Sequence, residues 1–301
     1  MHKITIDDCR RHQPDGDPRW QESFYLGWVD LKNRACGANH ISLAPAGHRD
    51  THVWSWTMID GQVVARSQAH GIPMPASDYD DMKIDVLHVR SSDDPRNIAL
   101  GVDYGEVSVD LDFRGNCDPV ELSLDRGDVV LGERHYELLG MVTGKLRTPD
   151  REIDIRASGW SDHSWGARDF STNISHRWLW ASFGPDFAMT AFGFVSNQGY
   201  FPFGWVWHDG GAHVVTGASF GAIVGDDGIT PIGCDARITT ASGRTYRVKG
   251  RSRDAALMGG VGWHAMNGLT EFECGGRIGE GFLEVNELKV LTATMKAELG
   301  L

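Results

Sequence analysis

The chain has 301 residues, with 41 acidic side chains against 29 basic ones and a formal net charge of −12. That length supports one large all-β domain or two smaller ones with a sizeable core. The acidic balance argues against nucleic acid or an anionic membrane surface as a partner, since both reward clustered Lys and Arg.

Helical periodicity is scarce along the chain, and short β-prone runs separated by turn residues recur. Met1 to Arg11 is polar, with no apolar h-region, so no secretory signal is expected. Arg10 to Arg19 and Gly71 to Asp81 are polar and Pro/Gly-rich, and are expected as loops. His52–Met58, Asp60-Gly61 and Val63–Arg66 predict a hairpin with an Asp-Gly turn. Ile84–Val89 alternates and predicts one strand. Gly105–Phe113 places Val107, Val109, Leu111 and Phe113 on one face and acidic or polar residues on the other, a strand with one wet face. Pro119–Glu137 is expected as a helical or capping insertion. Composition shifts around Arg147–Arg151, which sets the junction of two halves, 1–150 and 151–301.

In the second half, Trp178–Phe183 and Phe187–Val195 flank Gly184-Pro185-Asp186, a hairpin turn. Phe201, Phe203, Trp205 and Trp207 fall on one strand face at period two. Phe282–Thr294 is the last β-prone stretch, and Met295–Leu301 is expected as a short helical tail. No internal repeat survives residue-by-residue comparison. Regular short strands with turns point to an all-β chain of antiparallel sheets, closed or half-closed into barrels. No apolar stretch is long enough to span a bilayer. The five cysteines are scattered with no CxxC, so neither a disulfide framework nor a cysteine zinc site is indicated, and a reducing cytoplasmic setting fits.

Chemistry concentrates in Gly159–Asp169, where two carboxylates, an imidazole, a guanidinium and two indoles stand within eleven residues. Such a mixture suits neither a core, where unpaired charge is costly, nor a plain surface loop. On a strand, His163 and Trp165 share one face while Asp162 and Ser164 share the other, and Gly166 permits a turn. Arg168 is placed to hold Asp162 or Asp169, or to close a barrel end as a structural pair with Asp169. A carboxyl against an apolar wall favours its neutral form and can act as a general acid. Trp178, Trp180, Phe203, Trp205 and Trp207 read either as core or as the lining of an apolar binding site. Glu284, on the last strand, points into a cavity or, as the safer reading, to solvent. His40, His48, His52 and His70 lie near one another in sequence, but on loop and strand rather than helix, and no metal or other cofactor is expected. No nucleophile elbow or phosphate loop occurs, and Gly275–Gly281 marks strand bends.

The segment Asp162-His163-Ser164-Trp165-Gly166-Ala167-Arg168-Asp169, with Gly279-Glu280-Gly281-Phe282-Leu283-Glu284 near the C-terminus, resembles a bacterial group sharing a DHSWG-x-RD signature. That group is similar to the lipocalin-like AttH/carotenoid 1,2-hydratase superfamily, which includes kievitone hydratase. The resemblance implies two lipocalin-like, calycin-type antiparallel β-barrel halves in one chain, and cofactor-free addition of water to an alkene of a hydrophobic substrate. His163 and Trp165 match the His-x-Trp pair of the carotenoid hydratases. Their downstream Tyr-x-Asp pair has no counterpart here, where Trp178-Leu179-Trp180 stands with Asp186 beyond.

The combined expectation is an acid–base hydratase, dehydratase, isomerase or cyclase for a terpenoid, steroid or aromatic. Asp162, Asp169 or imidazolium His163 protonates a double bond, with Trp165, Arg168 and Glu284 in the site and the second-half aromatics holding the cation. A carrier of an apolar ligand without chemistry, and an inert barrel plugged by the polar motif, stay open, as does assembly into a homodimer.

Overall fold

The computed structural model describes residues 3–45, 50–122, 125–126, 129–130, 132–169, 171–260 and 263–287. The chain divides into two compact units, Met1–Phe170 and Ser171–Leu301. The first carries β1 (Trp20–Asp30), β2 (Ala35–Leu43), β3 (His52–Ile59), β4 (Gln62–Ala69), β5 (Met82–Ile84), β6 (Leu87–Ser91), β7 (Asn97–Asp103) and β8 (Ser108–Gly115). It continues with β9 (Val120–Glu121), β10 (Asp125–Arg126), β11 (Val129–Val130), β12 (Arg134–Arg147) and β13 (Glu152–Ala167). The second carries β14 (Asn173–Ser182), β15 (Ala188–Ser196), β16 (Gly199–His208), β17 (Gly211–Ser219), β18 (Ala222–Val224), β19 (Pro231–Thr240), β20 (Thr245–Gly260), β21 (Trp263–Cys274) and β22 (Arg277–Glu287).

In the first unit the strands run β4-β3-β2-β1-β13-β12-β8-β7-β6-β5, with β9 on β12. Laid flat, ten strands would span about 43 Å. Yet Ser67 of β4 donates to Asp85, between β5 and β6, at 2.5 Å, and one apolar cluster draws on strands from β3 to β5. The sheet is therefore curled, with that cluster on its concave face. In the second unit the order is β17-β16-β15-β14-β22-β21-β20-β19-β18, and β17 also pairs with β19. That extra pairing closes eight strands into a barrel, and one cluster drawing on all eight, from Leu179 and Met189 to Phe272 and Leu283, fills it. The chain is thus all-β in two lipocalin-like halves.

The Asp-Gly hairpin forms as expected: Asp60 and Gly61 both have positive φ, the type I′ geometry that matches strand twist. Val107, Val109, Leu111 and Phe113 are buried while Asp110 and Asp112 are exposed. Three elements differ from expectation. Ile84–Val89 is a hairpin, because Asp85 takes φ +49° and turns the chain between β5 and β6. In Pro119–Glu137, the described residues form strands: Val120–Glu121 pairs with β12, and β10 pairs with β11. The junction falls at 170/171 rather than 150/151, because β13 pairs with both β1 and β12 and so belongs to the first unit. The tail Met295–Leu301 lies outside the described residues, and Phe282–Thr294 is described only as far as Glu287. Among the described residues, no helix is long and apolar enough to cross a membrane.

Candidate active site

Alternation along β13 sends His163 and Trp165 to the concave face of the first sheet and Asp162 and Ser164 to the other. Gly166 has positive φ, but the strand runs on through Ala167 instead of turning there. On the concave side, Glu22 of β1 stands directly across from Trp165, one step diagonal to His163. Glu22 is fully buried and its Oε1 lies 2.8 Å from His163 Nε2 and 2.9 Å from His12 Nδ1. The His12 backbone N–H also donates to it, at 3.1 Å. Tyr136 Oη lies 3.4 Å from His163 Nδ1, so His163 donates through Nε2 and accepts at Nδ1. Burial pushes the His163 pKa down, although Glu22 pulls it up, and the balance favours the neutral imidazole. Burial would lift Glu22, but the bonds from His12 and His163 outweigh it and hold its pKa below the ordinary carboxylate value. His12 stacks on Trp165 at 3.7 Å and Tyr79 meets His163 edge-on at 5.1 Å.

The opposite face belongs to Asp162. Its cross-strand neighbours are Tyr25 on β1 and Glu137 on β12. Tyr25 packs edge-on against Trp160 and Trp54, and His40 stacks on Trp54. Asp162 is half-buried, and burial lifts its pKa to about 7; the charges of His135 and Arg168 oppose this and that of Glu137 adds to it. Glu137 Oε1 and His135 Nε2 lie 3.0 Å apart, both side chains buried. The charge of Arg168 acts on Asp162 and lowers its pKa. The Arg168 guanidinium donates to Ser164 Oγ, which sits 3.0 Å from Ser23 Oγ. Asp169 lies past the end of β13, its backbone N–H donating to Val130 O.

The second unit holds the remaining candidates. Trp178, Trp180, Phe203 and Trp205 are buried and Trp207 half-buried, all on strand faces alternate to the residues that fill the barrel. They form an outward aromatic face rather than an interior lining. Glu284 is 1% exposed, not solvated as the safer reading had it; its Oε1 lies 2.5 Å from His176 Nε2. Glu284 Oε2 and Asn267 Oδ1, on directly paired residues, are buried without a hydrogen-bond partner among the described residues. Trp178 Nε1 donates to Thr190 Oγ1 at 3.0 Å, and Phe192 stacks on both His176 and Phe203. Gly281 is needed beside this cluster, since a Cβ there would collide with the Trp180 carbonyl.

Sequence reading missed Glu22, His12, Tyr79, Tyr136, His135, Glu137 and His176. His176-Arg177-Trp178 repeats the His163-Ser164-Trp165 spacing, and that was the one available signal.

A family model described as a domain of unknown function, DUF7064, matches residues 5–289. The chain belongs to this family. Among curated proteins, no sequence matches it. Solved structures similar to it include a Nitrosomonas europaea protein assigned to AttH (NE1406), at TM-score 0.64 and 14% identity, covering 91% of this chain and 94% of that one. Kievitone hydratase from Nectria haematococca aligns at TM-score 0.65 and 14% identity, covering 91% and 90%. CghA, solved with Sch210972, aligns at TM-score 0.61 and 14% identity, covering 94% of both chains. This chain thus shares its fold with the AttH-type protein, kievitone hydratase and CghA.

Proposed function

We propose that this protein is a hydratase- or cyclase-type enzyme acting on a hydrophobic, unsaturated small molecule, with Asp162 as the proton donor. The observation that carries the reading is the Asp162 carboxyl, half-buried beside Glu137 and holding its proton up to about pH 7. A neutral carboxylic acid beside aromatic rings suits protonation of a carbon–carbon double bond. Tyr25, Trp160 and Trp54 offer π-faces to the cation that forms. In hydration, water then adds to the cation and its released proton returns to the Asp162 carboxylate, which restores the acid. In cyclisation, a second double bond attacks the cation instead, and a proton lost from a neighbouring carbon returns to the Asp162 carboxylate. Both are redox-neutral. Kievitone hydratase, which shares the fold, bears the name of a hydration and supports this class. In this reading the half-buried Trp207 is the member of the second unit's aromatic set that meets an apolar ligand. The five buried free cysteines favour a reducing cytoplasmic setting.

The test begins with native mass spectrometry and solvent extraction of the purified protein, to identify any co-purified terpenoid, steroid or aromatic. Turnover of that compound class by wild type and Asp162→Asn is then compared, with circular dichroism as the fold control. Loss of product formation in a folded Asp162→Asn supports the reading. Equal turnover by both proteins sinks it, and tight binding with no product from either establishes a carrier.

A further inference from the structure

We propose that His12, Glu22 and His163 form a binding site for a divalent transition-metal ion of the zinc type, inside the first unit. This site is separate from Asp162, which lies on the other face of the sheet, and its failure would leave the Asp162 reading untouched.

The three ligand atoms, His12 Nδ1, Glu22 Oε1 and His163 Nε2, lie within 4.8 Å of one another. Two imidazole nitrogens converge on one carboxylate oxygen, at 2.8 and 2.9 Å. Around tetrahedral zinc, with bonds of about 2.0–2.1 Å, ligand atoms stand about 3.3 Å apart, so the two nitrogen–oxygen separations need widen by only about 0.5 Å to admit the ion. Two histidines and one carboxylate, with a position left over, are a donor set zinc accepts. The outer partners are also present. Tyr136 Oη lies by the other nitrogen of His163, where it can accept Nδ1–H once Nε2 is a ligand. The Tyr79 hydroxyl is buried beside His163 with no hydrogen-bond partner among the described residues, an unspent polar group next to the cluster. Entry is available from the loop side, where the His12 side chain is 22% exposed.

A second group, Asp50, His52 and His70, has ligand atoms equally close, but it is exposed. Its His52 Nδ1 lies 2.9 Å from the Asp50 carbonyl, and its carboxylate is shared between His70 and the Gly71 N–H. The experiment must separate the two.

The full-length protein, stripped with chelator and dialysed, is titrated with Zn2+ by calorimetry and with Co2+ by visible absorption. The expected result is one tight equivalent of Zn2+ and an intense four- or five-coordinate Co2+ spectrum. Tyr136→Phe should weaken binding about 10- to 100-fold, the usual cost of an outer partner. His12→Ala, on a loop, should weaken it further, and His70→Ala should leave it unchanged. Absence of a tight equivalent and of the Co2+ spectrum in wild type overturns the proposal without recourse to any variant. So does binding that survives His12→Ala and disappears in His70→Ala.

Discussion

Among the described residues each unit joins its first strand to its last, and each carries a buried histidine–glutamate pair across that seam. The geometry repeats: in His163-Ser164-Trp165 and His176-Arg177-Trp178 the glutamate stands directly opposite the tryptophan and bonds the histidine. The pairs face opposite ways. His163–Glu22 lies on the concave, apolar side of its sheet, whereas His176–Glu284 lies on the outward face of its barrel. Their saturation differs too. Glu22 takes donors from two histidines and a backbone amide; Glu284 leaves one buried oxygen unmet beside the unmet Asn267 oxygen. Burial is nearly equal, so burial does not distinguish them. The kind of vacancy does: two of the donors on Glu22 are imidazoles that can ligate a cation instead, whereas the second pair has acceptors left for a ligand's donors.

The largest effect that would sharpen this contrast is on turnover. Asp162→Asn, on the face away from Glu22, should lower turnover by about 10²- to 10⁴-fold with the fold intact, measured against circular dichroism. In stability, pH should separate the two faces of β13. Asp162 binds its proton more tightly folded than unfolded, so its contribution falls as pH rises from about 4 toward about 7 and is gone in Asp162→Asn. Glu22 runs the other way: its folded pKa is lowered, so its contribution is present above its unfolded value and is lost as pH falls through the folded one. Urea melts from about pH 2 to about pH 8 on wild type and both amide variants would show the opposing slopes, that of Glu22 below about pH 4.5 and that of Asp162 between about pH 4 and 7. At fixed neutral pH, Glu22→Gln should cost about 2 kcal/mol, since it weakens several bonds to a charged acceptor. Glu284→Gln should cost less than about 1 kcal/mol, because its amide gains a donor opposite the unmet Asn267 oxygen. Equal losses in these two variants would break the comparison. Smallest is Thr190→Val, which removes the acceptor of Trp178 Nε1 and should cost about 0.5 kcal/mol.

Much of the fold was legible because alternation and turn chemistry are local. The strand at Val107–Phe113 and the Asp60-Gly61 turn needed no partner to be read. The errors have local causes as well: Asp85 adopts a left-handed backbone that alternation cannot reveal, and β1 is buried along its whole length, so it shows no period. The site was half legible. Asp162 and His163 stood out by composition, and their opposite faces followed from period two. Glu22 and His12 could not be found, since what makes them part of a site is a strand more than a hundred residues away. Glu284 looked solvated because its partner His176 lies equally far off.

The seam between β1 and β13 also sets the order in which the chain can be completed. Glu22 and His163 are separated by 141 positions, and His176 and Glu284 by 108. During synthesis the first strand emerges early and its partner last, so neither sheet can be joined until its entire unit has left the ribosome. Loop closure of that length makes folding slow and leaves one edge of β1, and later of β14, unpaired in the interim. The bonding edges of Trp20–Asp30 and Asn173–Ser182 are therefore where a chaperone or a second nascent copy would compete with the native partner.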